Sequence, residues 1–155
     1  MYSSRVIANA LLRIARESDL PLDNMQLQKL VYFAHGWNLA LKNEELIKET
    51  VKAWNFGPVI PPLYNRLRQY GNGEVTDFIQ TDEPEPQDDY TKRLLKRVVE
   101  VYGDMTGPQM SYLTHAEGTP WDITWKKEKF GVIDNKLIRE HFLKLKADAN
   151  ARRKQ

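Results

Sequence analysis

The chain has 155 residues, no cysteine, and 23 lysine and arginine residues against 21 aspartate and glutamate, a net charge of +2. The length fits one domain that buries about 70% of its unfolded surface. The missing cysteines exclude disulfides, thiolate nucleophiles and cysteine zinc sites, and suit a reducing compartment. The near-balanced charge supplies no global positive field, which argues against nucleic acid as the main partner. No stretch has the length and apolarity of a membrane span or of a secretory signal, so the expected location is the cytoplasm.

In chain order, Ser3 or Ser4 can cap a first helix whose stripe is Val6, Ile7, Ala10, Leu11 and Ile14, ended by Asp19-Leu-Pro21. Asp23 and Gln26 form a capping box that opens a second helix. There Leu27, Leu30, Val31, Ala34 and Leu41 recur on one face, Phe33 and Trp37 widen it, and Tyr32 and Leu39 lie nearly opposite. A helix apolar on several sides belongs in the middle of a bundle. Leu46–Lys48 and Val51–Phe56 read as a small antiparallel hairpin, with Lys52, Trp54 and Phe56 on one face.

Gly57-Pro58 then reads as a strand break, and Pro61-Pro62 as the first turn of a helix that turns Ile60, Leu63, Tyr64 and Leu67 inward and stops at Gly71. Val75–Ile79 reads as a third short strand. Residues 80–89 hold five acids and two prolines, a solvated loop leading into a helix that begins near Asp88 or Asp89. Leu94, Leu95, Val98, Val101 and Tyr102 form that helix's stripe. Thr106 and Gln109 make another capping box, ahead of a short helix carrying Met110, Leu113 and Thr114 inward. Thr119-Pro120-Trp121 starts a further helix. The last begins near Asp134 and packs through Leu137, Ile138, Phe142 and Leu145. The expected domain is 1–147, with a frayed basic tail over 148–155. The fold class is mainly α (α+β): a helical bundle around a central buried helix, with a small antiparallel hairpin or three-stranded sheet.

No phosphate loop, dinucleotide fingerprint, nucleophile elbow or zinc-protease motif occurs, so no cofactor or metal is expected. The three histidines, His35, His115 and His141, fall on three different helices. His115 with Glu117 is the one titratable pair between helices. An acid–base role is outweighed by that of a cation at a helix C-terminus. Residues 134–155 carry seven basic and three acidic side chains, a local +4 that leaves −2 for the rest. A solvated helix end explains this more simply than a phosphate-binding stripe. Aromatics and prolines cluster where strand, turn and helix start meet, and such side chains bury large areas at low entropic cost. The candidate partner-binding residues are therefore Trp54, Phe56, Pro58, Pro61, Tyr64, His115 and Trp121.

Two phrases carry a resemblance: Met25-Gln-Leu-Gln-Lys-Leu-Val-Tyr-Phe-Ala-His-Gly-Trp37 and Ala53-Trp-Asn-Phe-Gly-Pro-Val, run through Leu63-Tyr64. Leu113-Thr-His115 with Pro120-Trp121 adds a weaker match. In these words the chain resembles the Panacea-domain family of SocA-like and GepA-like antitoxins of bacterial and phage genomes. The resemblance implies a mainly helical, non-catalytic antitoxin that binds and neutralises a protein toxin from an adjacent gene. One family member looks like an adaptor to the ClpXP protease, and others neutralise by direct binding. No added DNA-binding domain lies within this length, which speaks against operator binding. The alternative is a small nucleic-acid-binding protein or enzyme using His115, Glu117 and the basic C-terminal helix.

Overall fold

The second helix, α2 (Asn24–Lys42), is enclosed by its neighbours along nearly its whole length, and the remaining elements are placed against it. The computed structural model describes residues 1–154. In these, α1 (Ser4–Glu17) precedes α2, and strands β1 (Val51–Trp54) and β2 (Gly57–Val59) follow. Then come α3 (Pro61–Leu67), a 3₁₀ turn over Arg68–Tyr70, α4 (Asp89–Tyr102), α5 (Gly107–His115), α6 (Pro120–Lys127), β3 (Val132–Ile133) and α7 (Asn135–Arg153). This is a mainly α fold with a small antiparallel sheet in the order β2-β1-β3.

The helix ends follow from local side-chain chemistry. Ser3 accepts from the Val6 amide at the start of α1, and Asp23 and Gln26 close the capping box of α2. Asp88 caps α4, Thr106 and Gln109 close a second box on α5, and Thr119 caps α6 with Pro120 at its first position. Each cap satisfies amides that the first helical turn leaves without an internal acceptor.

The enclosure of α2 is many-sided. Leu27, Leu30, Val31, Tyr32, Phe33, Ala34 and Leu39 are all buried. Its C-terminal half packs on α7 through aromatic rings: Phe142 meets Tyr32 edge-on at 5.8 Å and Trp37 at 5.2 Å. Gly36 makes that approach feasible, because a Cβ there would overlap the Phe142 ring. Phe33 stacks on Tyr102 of α4 at 3.9 Å, and the Trp37 indole N–H donates to the Tyr102 hydroxyl at 3.0 Å.

Several expectations are corrected. Leu46–Lys48 does not pair with Val51–Phe56; it exchanges backbone bonds with Tyr2 (Tyr2 N–H to Leu46 O, 2.8 Å; Lys48 N–H to Tyr2 O, 2.9 Å). Gly57-Pro58 opens β2 rather than ending a strand, so the hairpin turns at Asn55-Phe56. Proline is tolerated because β2 is an edge strand and needs no ladder donor there. Val75–Ile79 is not a strand: the Asn9 amide takes both backbone groups of Ile79 at 2.8 Å, and Val75 donates to Leu22 O. The third strand is Val132–Ile133, paired with Lys52 and Val51. Leu41, Val101 and Leu113 are exposed although their stripes place them inward. The apolar pattern fails past Ala147, and α7 runs on as a helix to Arg153.

Candidate partner-binding surface

The β1–β2 hairpin is where the aromatic residues gather, and buried polar groups fix its backbone. Trp54 pairs with Gly57, Ala53 with Pro58 and Lys52 with Val59. Gly57 has φ +120, a conformation that side chains rarely adopt, and a Cβ there would lie 3.0 Å from Thr114 Oγ1 and 3.1 Å from Lys29 Cε. The turn is therefore pressed onto α2 and α5 in a backbone conformation that favours glycine.

Four side chains hold it. Gln28 Oε1 accepts from the Ile60 amide at 3.0 Å, and Lys29 Nζ donates to Pro58 O at 3.1 Å. Gln28 in turn donates to Asn24 at 3.1 Å. From α5 the Ser111 hydroxyl donates to Phe56 O, and from α6 the Trp121 indole N–H donates to Trp54 O at 2.6 Å. The Leu27-Gln28-Lys29-Leu30 phrase and the Gly57-Pro58-Val59-Ile60 phrase are thus two halves of one contact. Lys29 is 1% exposed, and burial pushes its ammonium down to about 8, against the pull of Asp23.

On this frame Phe56 is 66% exposed, its carbonyl tied down and its ring in solvent. Trp54, Pro61, Tyr64 and His115 are half-buried, whereas Pro58 and Trp121 are buried. Pro58 and Trp121 therefore act on this surface as supports through Pro58 O and the Trp121 indole. Trp54 meets Tyr64 edge-on at 5.1 Å. His115 packs edge-on to Trp121 at 5.4 Å, Trp121 stacks on Trp125 at 5.2 Å, and Trp125 meets the exposed Phe130 at 5.2 Å. The result is an aromatic ridge running from the hairpin across α6.

His115 spends Nδ1 within its own helix, on the Ser111 carbonyl and hydroxyl. Among the described residues no hydrogen bond or ion pair joins it to Glu117, and no group of three or more His, Asp or Glu side chains converges as a metal site. Nor is any helix among them long and apolar enough to cross a membrane. His35 is a structural group: Nδ1 accepts from the Leu46 and Ile47 amides at 3.3 and 3.4 Å, and Nε2 faces Asn135 Oδ1 at 2.9 Å. Burial lowers its pKa and favours the neutral ring that these partners require. The supporting residues Gln28, Lys29 and Ser111 escaped the sequence reading. The available signal was that polar side chains on a helix apolar all round must be buried and paired.

The family model for the antitoxin SocA-like Panacea domain matches residues 27–122, which takes in the α2 phrase, the hairpin and the supports from α5 and α6. The chain belongs to this family. A curated relative, Antitoxin SocA of Caulobacter vibrioides (strain NA1000 / CB15N), is 33% identical over 129 residues, covering 77% of this chain and 69% of the relative. No solved structure matches the chain. Family membership supports an antitoxin role, and the matched span contains both halves of the contact that fixes the hairpin.

Proposed function

We propose that this Panacea-domain protein is a non-enzymatic antitoxin that neutralises a cognate protein toxin from an adjacent gene by binding it directly, with the hairpin turn and the aromatic ridge as the contact surface. One observation carries the reading: the turn backbone is fastened from α2, α5 and α6, while the Phe56 ring is left in solvent. An exposed aromatic on a preorganised backbone loses little entropy on docking, which is the character of an interface anchor. Trp54, Tyr64, Pro61 and His115 add partly accessible area, with Trp54 and Tyr64 in edge-on contact, and Phe130 extends the ridge.

A stable complex of this kind buries about 1,200–2,000 Å² in total, so the ridge supplies the centre of the interface and neighbouring polar residues its rim. Co-expression of the adjacent gene with and without this chain is the test. The expected result is growth arrest relieved by this chain and a co-purifying complex; equal growth in both cases, with no complex, rejects the reading. The toxin's half-life separates two routes: unchanged under direct occlusion, shortened in a ClpXP-dependent manner if the chain delivers the toxin to that protease.

A further inference from the structure

A second surface, sharing no residue with the hairpin and ridge, is a groove of about 430 Å³ between the C-terminal parts of α2, α4 and α7. Its walls are two helical rows with the same spacing: Leu94, Arg97, Val98 and Val101 on α4, and Lys146, Ala149, Asn150 and Arg153 on α7. Residues at i, i+3, i+4 and i+7 form one face of a helix, so each wall is a continuous helical face. Trp37 and Leu41 of α2 make the floor.

The apolar content of this groove exceeds what the fold covers. Leu41 and Val101 prolong the buried stripes of α2 and α4, yet each is 46% exposed. The α7 helix continues past its last buried residue, Phe142, and its final turns border the groove. All three ionisable charges on the lining, Arg97, Lys146 and Arg153, are positive. Glu100 pairs with Arg97 at 3.4 Å, but both are exposed and such a pair leaves the guanidinium available.

We propose that this groove receives a short acidic amphipathic helix from another protein, its apolar side on Trp37, Leu41 and Val101 and its carboxylates toward Arg97, Lys146 and Arg153. Two helical walls over an apolar floor are the form of helix-in-groove recognition. A rim of one sign selects the opposite charge, and the apolar floor favours a peptide over a phosphate backbone, which would leave that floor unfilled. Each wall row spans roughly 10 Å at ~1.5 Å per residue, so two or three turns of a bound helix fill it.

The probe is a fluorescein-labelled helical peptide of about 15 residues with leucine at i, i+3, i+4 and i+7 and glutamate elsewhere, a length of roughly 22 Å. Its binding to the full chain is followed by anisotropy, with a lysine-for-glutamate peptide and a DNA duplex as competitors. The expected result is saturable binding that weakens with salt, falls at least tenfold for Val101→Glu and for Arg97→Glu with Arg153→Glu, and survives Arg66→Glu on α3. Circular dichroism checks that the variants fold. The proposal is overturned by no binding, by equal binding of the lysine peptide, by displacement by duplex, by insensitivity to the groove variants, or by sedimentation showing the groove occupied in a self-dimer. None of these outcomes depends on whether the hairpin holds a toxin.

Discussion

The two halves of α2 do different work. The N-terminal half, around Asn24, Gln28 and Lys29, buries polar side chains that hold the hairpin backbone. The C-terminal half, around Phe33, Gly36 and Trp37, buries rings against Phe142 and Tyr102. Apolar burial stabilises strongly but is indifferent to orientation, whereas a buried polar link adds little net stability and is costly to leave unmade. Both halves bury apolar side chains, Leu27, Leu30 and Val31 in the first as well; what the N-terminal half adds is the position of the hairpin. This is the arrangement expected where an exposed ring has to be offered in one place.

The contrast is most easily broken at its aromatic end. Phe142→Ala empties the space that Gly36 keeps open and should cost about 3–5 kcal/mol, read as a drop in urea midpoint. A loss comparable to a surface substitution would mean that α7 is not a structural partner of α2.

At the positioning end the expected effect is smaller and carries a pH signature. Lys29 has a folded pKa of about 8, below the ordinary value of 10.5, so between those values the unfolded chain holds more protons and stability rises with pH. That single group should add about 2 kcal/mol between pH 8 and pH 10. Urea melts of the wild type minus those of Lys29→Met should show the rise, and a flat difference would refute the buried cation. His35 has the same sign in a lower window. Its pKa is lowered from 6.5, so its contribution to stability is present above that value and is lost as pH falls below it.

The smallest effect belongs to a ring between the two ends. Tyr32 is buried, and its hydroxyl has no partner among the described residues. An unpaired buried hydroxyl is unfavourable, so Tyr32→Phe should leave stability unchanged or raise it by up to about 1 kcal/mol. Destabilisation beyond that range in thermal melts would reveal a hydrogen bond to the hydroxyl.

The same division explains what the sequence made legible. Caps are local, and Asp23 with Gln26, Thr106 with Gln109, and Thr119 before Pro120 located three helix starts from residues three apart or fewer. The central place of α2 was legible from rings on opposite sides of one helix. Strand pairing was not: β3 is two residues long and joins β1 from about eighty residues away, with no signal of its own. Gly57-Pro58 looked like a break because proline is costly inside a sheet, and only the edge position of β2 removes that cost. The aromatic membership of the surface was readable. Which members are exposed was not, since Phe56 and Trp121 look equally apt in sequence and differ only because α6 turns Trp121 onto β1 and His115 while the turn bares Phe56.

Whether a held backbone offers Phe56 to a toxin is decided by a paired measurement on Phe56→Ala: thermal stability of the free chain and affinity for the co-expressed toxin. Stability should stay within about 0.5 kcal/mol of wild type while toxin affinity falls at least tenfold, roughly 1.4 kcal/mol. Wild-type affinity in the folded variant, or a loss of affinity that merely follows a loss of stability, would contradict it.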